Sequence, residues 1–132
     1  MYGEFVRLVG PINSGAAVGE NGVATANAST TTRIIGRVAA VYVKYNDSPP
    51  GATTDVVVKA LGTSPEAPTY NILTRTDTAT SGWFYPRVQV TDTAGAGIAN
   101  TYDLLPIYDL VNVKIDQANA ADNVDVWLLL VS

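Results

Sequence analysis

Residues 33–45 read Arg-Ile-Ile-Gly-Arg-Val-Ala-Ala-Val-Tyr-Val-Lys-Tyr, and this run is the strongest indication of how the chain folds. Most of its apolar side chains are β-branched or aromatic, which suits a pleated strand and disfavours a helix. Gly36, near its start, predicts a β-bulge, because glycine inside a strand often accompanies one. The run stops at the Asn, Pro and Gly residues of 46–51, which predict a turn. We therefore predict a long strand here.

Shorter β-like runs lie on both sides of this strand, each bounded by Gly, Pro, Asn, Asp or Ser. Together they give about eight strands at fairly regular spacing, and no amphipathic helical stretch of useful length separates them. This pattern predicts an all-β fold, an antiparallel β-sandwich of about eight strands with jelly-roll or Greek-key connections. The runs cover 4–9, 23–32, 33–45, 54–61, 70–74, 83–91, 104–108, 110–116 and 124–131.

The chain is predicted to have two parts. Residues 1–22 comprise an N-terminal strand that Gly10-Pro11 closes, then a Gly- and Ala-rich segment that is either a flexible arm or a loop. Residues 23–132 form the sandwich. In the last strand, 124–131, the apolar side chains near the end occupy both parities, so we expect this strand to be buried on both faces. The strand 110–116 instead alternates, with Val111, Val113 and Ile115 predicted to face inward.

Composition excludes several kinds of chemistry. The 132 residues include no Cys and no His, which removes thiolate catalysis, His-based acid–base catalysis and the common ligands of zinc and haem. We therefore expect no cofactor. The formal net charge of -4 is scattered singly without a basic stripe, so nucleic acid is not an expected partner. A charged fraction of 15% fits either a surface hidden against partners or a Thr- and Ser-rich β surface.

Targeting and membrane signals are also weak. The start, Met-Tyr-Gly-Glu-Phe-Val-Arg, lacks the basic and long apolar regions of a signal peptide, so we expect synthesis in the cytosol without export. The longest apolar run, 126–131, is too short to span a bilayer, and no membrane association is expected.

Two motifs suggest catalysis or nucleotide binding and are better explained as structure. The Gly-x-Gly at Gly95 and Gly97 lacks the third glycine and the following helix of a dinucleotide site, which favours a hairpin turn. Asp103 and Asp109 flank a short strand and could form a glycosidase pair. Nothing fixes their separation, so solvated strand ends are the better interpretation. We predict no catalytic residues and no enzyme activity.

One acidic cluster could bind calcium. Asp116, Asn119, Asp122 and Asp125 lie close in sequence, but they lack the alternating ligands and central glycine of an EF-hand loop. A polar turn whose Asp and Asn side chains cap backbone groups is the preferred interpretation. We predict no metal site.

Exposed aromatic residues are the better candidates for function. Trp83-Phe-Tyr forms an aromatic cluster after a polar loop, and strand alternation places one face of it in the core and the other at an exposed edge. The first strand and its following segment could add to a neighbour's sheet, or could be an ordinary strand and loop. The predicted partner-binding residues are Tyr2, Phe5, Arg7, Trp83 and Tyr85.

Three segments resemble small structural proteins of tailed bacteriophages: Trp83-Phe-Tyr-Pro-Arg-Val-Gln-Val-Thr-Asp-Thr-Ala-Gly-Ala-Gly, Leu105-Pro-Ile-Tyr-Asp-Leu-Val-Asn-Val-Lys-Ile, and Asp122-Asn-Val-Asp-Val-Trp-Leu. The likeness covers mainly residues 33–132. It is a likeness to head decoration or accessory proteins, and it carries no catalytic signature. The resemblance implies a β-sandwich, trimeric assembly, non-covalent binding to the major capsid protein, and a place on the capsid surface of the virion.

A second function stays open alongside this one. A tail or fibre β-sandwich that binds host-surface carbohydrate would use exposed aromatics around Trp83 to stack on sugars. A small hydrolase is the third alternative, and no base or nucleophile constellation in the sequence favours it.

Overall fold

The structure is a computed structural model that describes residues 5–46, 51–63 and 70–132. Within these ranges the chain forms eleven strands and no helix, which confirms the predicted all-β class. The strands are β1 (Val6–Asn13), β2 (Ala24–Ser29), β3 (Ile34–Tyr45), β4 (Asp55–Ala60), β5 (Tyr70–Arg75), β6 (Gly82–Phe84), β7 (Val88–Thr91), β8 (Gly97–Asp103), β9 (Leu105–Asp109), β10 (Val111–Ala118) and β11 (Val124–Val131).

Two antiparallel sheets pack together as a β-sandwich, as predicted. The five-stranded sheet has the order β1-β11-β3, after which β9 and β6 pair with successive halves of β3. The four-stranded sheet has the order β2-β10-β4-β5. β7 and β8 pair only with each other among these elements, as a separate hairpin. The jelly-roll or Greek-key type of connection stays a prediction.

The core lies between the two sheets and consists mainly of valine, isoleucine and leucine side chains, with several alanines. The predicted inward face of β10 is confirmed, because Val111, Val113 and Ile115 are fully buried. β4 and β3 contribute Val56, Val58 and Val41 to the same layer, and β11 adds every second residue. Successive side chains of a strand point to opposite faces of its sheet, so every second residue of these strands points into the space between the two sheets.

The stretch 83–91, predicted as one strand, is two. β6 ends at Phe84 and pairs with β3, whereas β7 begins at Val88 and pairs with β8. Pro86 lies between them, and its fixed φ and missing N–H interrupt a sheet ladder. β8 escaped prediction because its residues, Gly-Ile-Ala-Asn-Thr-Tyr-Asp, are all exposed and show no apolar alternation.

The first strand is longer than predicted. β1 continues past Gly10-Pro11 to Asn13, through an irregularity between Val9 and Ile12, and pairs with β11 along its length. The following residues, 14–22, form a loop held against the sandwich. The Ser14 N–H donates to the carbonyl of Val124 at 3.0 Å, and the Ala17 N–H donates to that of Asp122 at 2.8 Å.

Candidate interaction surface

The outer face of the four-stranded sheet is polar, as solvent contact requires. Thr25 donates its hydroxyl to Asp116 Oδ1 at 2.8 Å, and Lys114 Nζ lies 3.4 Å from the same carboxylate. Asn112 Nδ2 donates to Ser29 Oγ at 3.0 Å. Two of these contacts join β2 to β10 and the third lies along β10, so polar side chains of this face bind one another.

The outer face of the five-stranded sheet is apolar instead. Residues directly opposite each other in antiparallel strands point to the same side, so the strand register defines this face. Val6 is opposite Val131, Leu8 is opposite Leu129, and Ile35 is opposite Tyr108. Their alternate neighbours, such as Leu128 and Leu130, fill the core. The apolar outer face comprises Val6, Leu8, Ile35, Tyr42, Trp83, Tyr108, Trp127, Leu129 and Val131.

No strand of the described chain covers this face. Val6 is 67% exposed, Ile35 57%, Leu8 55% and Tyr108 52%. Trp127, Leu129 and Val131 on the central strand β11 are half-buried. Contiguous exposed apolar surface of this kind is typical of interaction sites in proteins.

Three aromatic rings form a row across the apolar outer face. The ring centroids of Trp83 and Tyr42 are 5.1 Å apart with an interplanar angle of 51°. Those of Tyr42 and Trp127 are 5.6 Å apart with an angle of 56°. Tilted pairs at this separation are favourable, so the row is a fixed surface feature on β6, β3 and β11.

A shallow cavity of about 330 Å³ opens at one end of the five-stranded sheet. We call it the arginine cavity, because Arg7 and Arg33 line it together with Phe5 and Ile35. Arg7 Nη2 donates to the Ile35 carbonyl at 3.3 Å, and the Arg33 guanidinium stacks on the Tyr108 ring at 5.3 Å. Within residues 5–46, 51–63 and 70–132, neither guanidinium forms an ion pair with a carboxylate.

The structure separates the predicted partner-binding residues. Phe5 and Arg7 lie at the arginine cavity beside β1, one edge of the five-stranded sheet. Trp83 lies on β6 at the opposite edge, with β11 and β3 between, and Tyr85 follows it at 66% exposure. Tyr2 lies outside the described residues.

Several residues of the apolar outer face were missed in the sequence. β11 was predicted to be buried on both faces near its end, and this is wrong. One parity, with Leu128 and Leu130, is buried, whereas Trp127 and Leu129 are only half-buried. The sequence did indicate a second apolar face on β11, because every residue from 126 to 131 is apolar. That run does not show whether the chain itself or a partner covers the second face.

The carboxylates considered for catalysis serve local structure. Asp103 is exposed, as predicted for a strand end, and accepts from the Leu104 N–H. Asp109 is fully buried, so the prediction of a solvated end is wrong for it. Burial alone raises the pKa of Asp109. Hydrogen bonds from the Thr63 hydroxyl and from the N–H groups of Leu110, Thr63 and Gly62 outweigh it and hold that pKa below its ordinary value.

The acidic residues considered for calcium are likewise engaged separately. Asp122 Oδ2 accepts from the N–H groups of Gly51 and Asn119, both at 3.0 Å. Asp125 accepts from the side-chain amides of Asn13 and Asn46, each at 2.8 Å. Across the part of the chain that the structure describes, no three Asp, Glu, His or Cys side chains come together as a metal site.

Comparison with known proteins adds no identification: no protein-family model matches the chain, and no curated protein is significantly similar to it. Among the described residues, no helix is long and apolar enough to cross a bilayer. The distribution of apolar and charged side chains over the surface is therefore the guide to function.

Proposed function

We propose that this chain is a structural protein of a tailed-bacteriophage particle, which binds the major capsid protein through its apolar outer face and so decorates or cements the shell. The observation that carries the proposal is the difference between the two outer faces of the sandwich. One is a network of hydrogen-bonded polar side chains, and the other exposes Val6, Leu8, Ile35 and Tyr108. An antiparallel sheet that is apolar on its solvent side is suited to a partner.

The shape of this face favours a protein partner over a small molecule. It is a sheet surface with a row of large rings, whereas small-molecule sites are concave and enclose their ligand. Trp and Tyr side chains such as Trp83, Tyr42 and Trp127 are the types that contribute most to protein interfaces. A partner that binds only the folded, assembled shell stabilises that shell by mass action.

The phage context comes from the three segments that resemble head decoration proteins, at 83–97, 105–115 and 122–128. On this proposal the protein is made in the host cytoplasm, assembles as a trimer, and lies on the outside of the capsid. It has no catalytic role and contacts neither nucleic acid nor membrane.

Quantitative mass spectrometry of purified particles of the encoding phage tests the location. A copy number comparable with that of the major capsid protein supports decoration. A few copies per particle overturn decoration in favour of the tail proposal. Complete absence from the particle overturns both.

A binding experiment tests the surface itself. The full chain is mixed with particles that lack it, and bound protein is separated by sedimentation. Leu8→Glu places a charge on the apolar outer face and is expected to weaken retention by at least about tenfold. Asn27→Glu, on the polar outer face, is the matched control and is expected to bind like the wild type. Equal retention of all three proteins contradicts the assignment of the face.

A tail or fibre module that binds host-surface carbohydrate is the second candidate. Trp83 and Tyr85 favour it, since they are 44% and 66% exposed near one edge and could stack on a sugar ring. Glycan arrays with the wild type, Trp83→Ala and the control Tyr108→Ala test it. Binding that only Trp83→Ala loses supports the carbohydrate site. A wild type that binds no glycan, or binding that survives Trp83→Ala, contradicts it.

A further inference from the structure

The hairpin formed by β7, β8 and the turn between them, residues 88–103, contributes nothing to the buried core. We call it the exposed hairpin. Every residue of β8 is exposed, and Val88, Ile98 and Tyr102 present 41%, 40% and 59% of their surface to solvent. A two-stranded hairpin by itself is only marginally stable in water. An apolar contact on one of its faces would stabilise it.

The exposed hairpin is acidic as well as apolar. It carries Asp92 and Asp103 and contains no Lys, Arg or Glu. Asp92 Oδ1 accepts from the N–H groups of Ala94 and Ala96 at 2.9 and 3.0 Å, which fixes the turn. A surface that receives this hairpin should therefore combine positive charge with apolar side chains.

The arginine cavity has that combination. Arg7 and Arg33 supply two guanidinium groups without a carboxylate partner in the described chain, and Phe5 and Ile35 supply apolar surface at 79% and 57% exposure. Both guanidinium groups are already oriented, one by the Ile35 carbonyl and the other by the Tyr108 ring. A preorganised Arg loses little side-chain entropy when it binds a carboxylate.

We propose that the exposed hairpin of one copy of this chain docks in the arginine cavity of a second copy. The two surfaces are different parts of the same chain, so the contact is head-to-tail. Such contacts close into a ring when the rotation between successive copies permits it. The hairpin is acidic and the cavity is basic, so salt is expected to weaken the association. Ile35 belongs both to the arginine cavity and to the apolar outer face, so this contact would cover one end of the surface that the proposed function gives to the capsid protein. Self-association of the purified chain without particles tests the contact separately from that function.

Sedimentation velocity of the full purified chain at increasing concentration tests the proposal. The wild type is expected to self-associate, more weakly at high salt. Tyr102→Ala in the hairpin removes apolar contact without changing charge, and Arg33→Glu in the cavity reverses a charge. Each is expected to raise the dissociation constant by at least about tenfold. Asn27→Glu, at an exposed position on the polar outer face, is the control and should associate like the wild type. Circular dichroism verifies that all four proteins are folded.

Mixing the two defective variants distinguishes a head-to-tail contact from any symmetric one. Tyr102→Ala keeps an intact cavity, and Arg33→Glu keeps an intact hairpin, so an equimolar mixture should form a one-to-one dimer that cannot extend. A wild type that is monomeric at every concentration overturns the proposal. So does association that survives Arg33→Glu, which would mean that another surface mediates it, and so does a mixture that stays monomeric.

Discussion

The indole of Trp127 packs directly on the backbone of Gly10. A Cβ atom at position 10 would lie 2.7 Å from Trp127 Cδ1 and 2.8 Å from the carbonyl oxygen of Val126. At this position β1 can lie so close to Trp127 only because residue 10 has no side chain. This close approach supports Trp127 from one side while Tyr42 packs on the other, and so fixes the aromatic row on the apolar outer face.

Gly10→Ala is expected to destabilise the fold by about 2–4 kcal/mol. The methyl group would clash with Trp127, and Gly10 also has φ +149°, a conformation that L-residues rarely adopt. Urea unfolding measures the change. Gly95→Ala is the control, since Gly95 has φ +86° but no atom within 4 Å of its added Cβ, and it should cost only about 1 kcal/mol. Equal losses in the two variants would mean that the contact with Trp127 contributes nothing.

Adjacent leucines of β11 should differ sharply in their contribution to stability. Leu128 is fully buried in the core, so Leu128→Ala should cost about 2–5 kcal/mol by loss of burial and creation of a cavity. Leu129 lies on the apolar outer face and is half-buried, so Leu129→Ala should cost less than half as much. Chemical denaturation of the isolated chain compares them. Similar losses would contradict an uncovered outer face.

Asp109 should make stability depend on acid pH. Its folded-state pKa is lowered, so its contribution is present above the unfolded value of about 4 and is lost as pH falls through the folded value. Asp109→Asn removes the ionised acceptor and should both lower the urea midpoint at neutral pH and flatten its decline below about pH 4. Asp103→Asn, an exposed control, should change neither. An unchanged acid profile in Asp109→Asn would exclude Asp109 as its source.

The main strands could be predicted because their residues favour extended backbone and also alternate in a way that buries one face. β3, with Val38, Val41 and Val43, and β10, with its alternating valines and isoleucine, are of this kind. β8 could not be predicted, since its exposed residues, which include Gly, Asn and Thr, show no alternation of apolar and polar side chains. The continuation of β1 was missed because Gly10-Pro11 usually ends a strand, whereas here the ladder resumes at Ile12 after an irregularity.

The interaction surface was only partly predictable for a related reason. Periodicity shows which residues share a face, but not what lies above that face. Phe5, Arg7, Trp83 and Tyr85 were identified as single exposed candidates, and all four are exposed. Leu129 and Trp127 were assigned to the interior, because a run that is apolar on both parities looks the same whether its own chain or a partner covers it.

Tyr45→Phe should leave the protein as stable as the wild type or up to about 1 kcal/mol more stable at neutral pH. Tyr45 is 8% exposed, and its buried hydroxyl has no hydrogen-bond partner within the described ranges. Removing an unsatisfied polar group from a core removes its desolvation cost. Urea unfolding at neutral pH measures this, and a loss above about 1 kcal/mol would show that the hydroxyl is bonded in solution.

The same variant should also flatten the decline of stability in alkali. Burial raises the pKa of Tyr45, an effect that Arg75 opposes and Asp55 reinforces. The folded protein therefore keeps the proton after the unfolded chain has begun to lose it, near pH 10. The resulting stability is intact below that pH and is lost as pH rises from about 10 through the higher folded value. Tyr45→Phe should lose less stability over this window than the control Tyr108→Phe, whose hydroxyl lies on an exposed residue. Identical alkaline profiles for the two variants would mean that ionisation of Tyr45 is not coupled to unfolding.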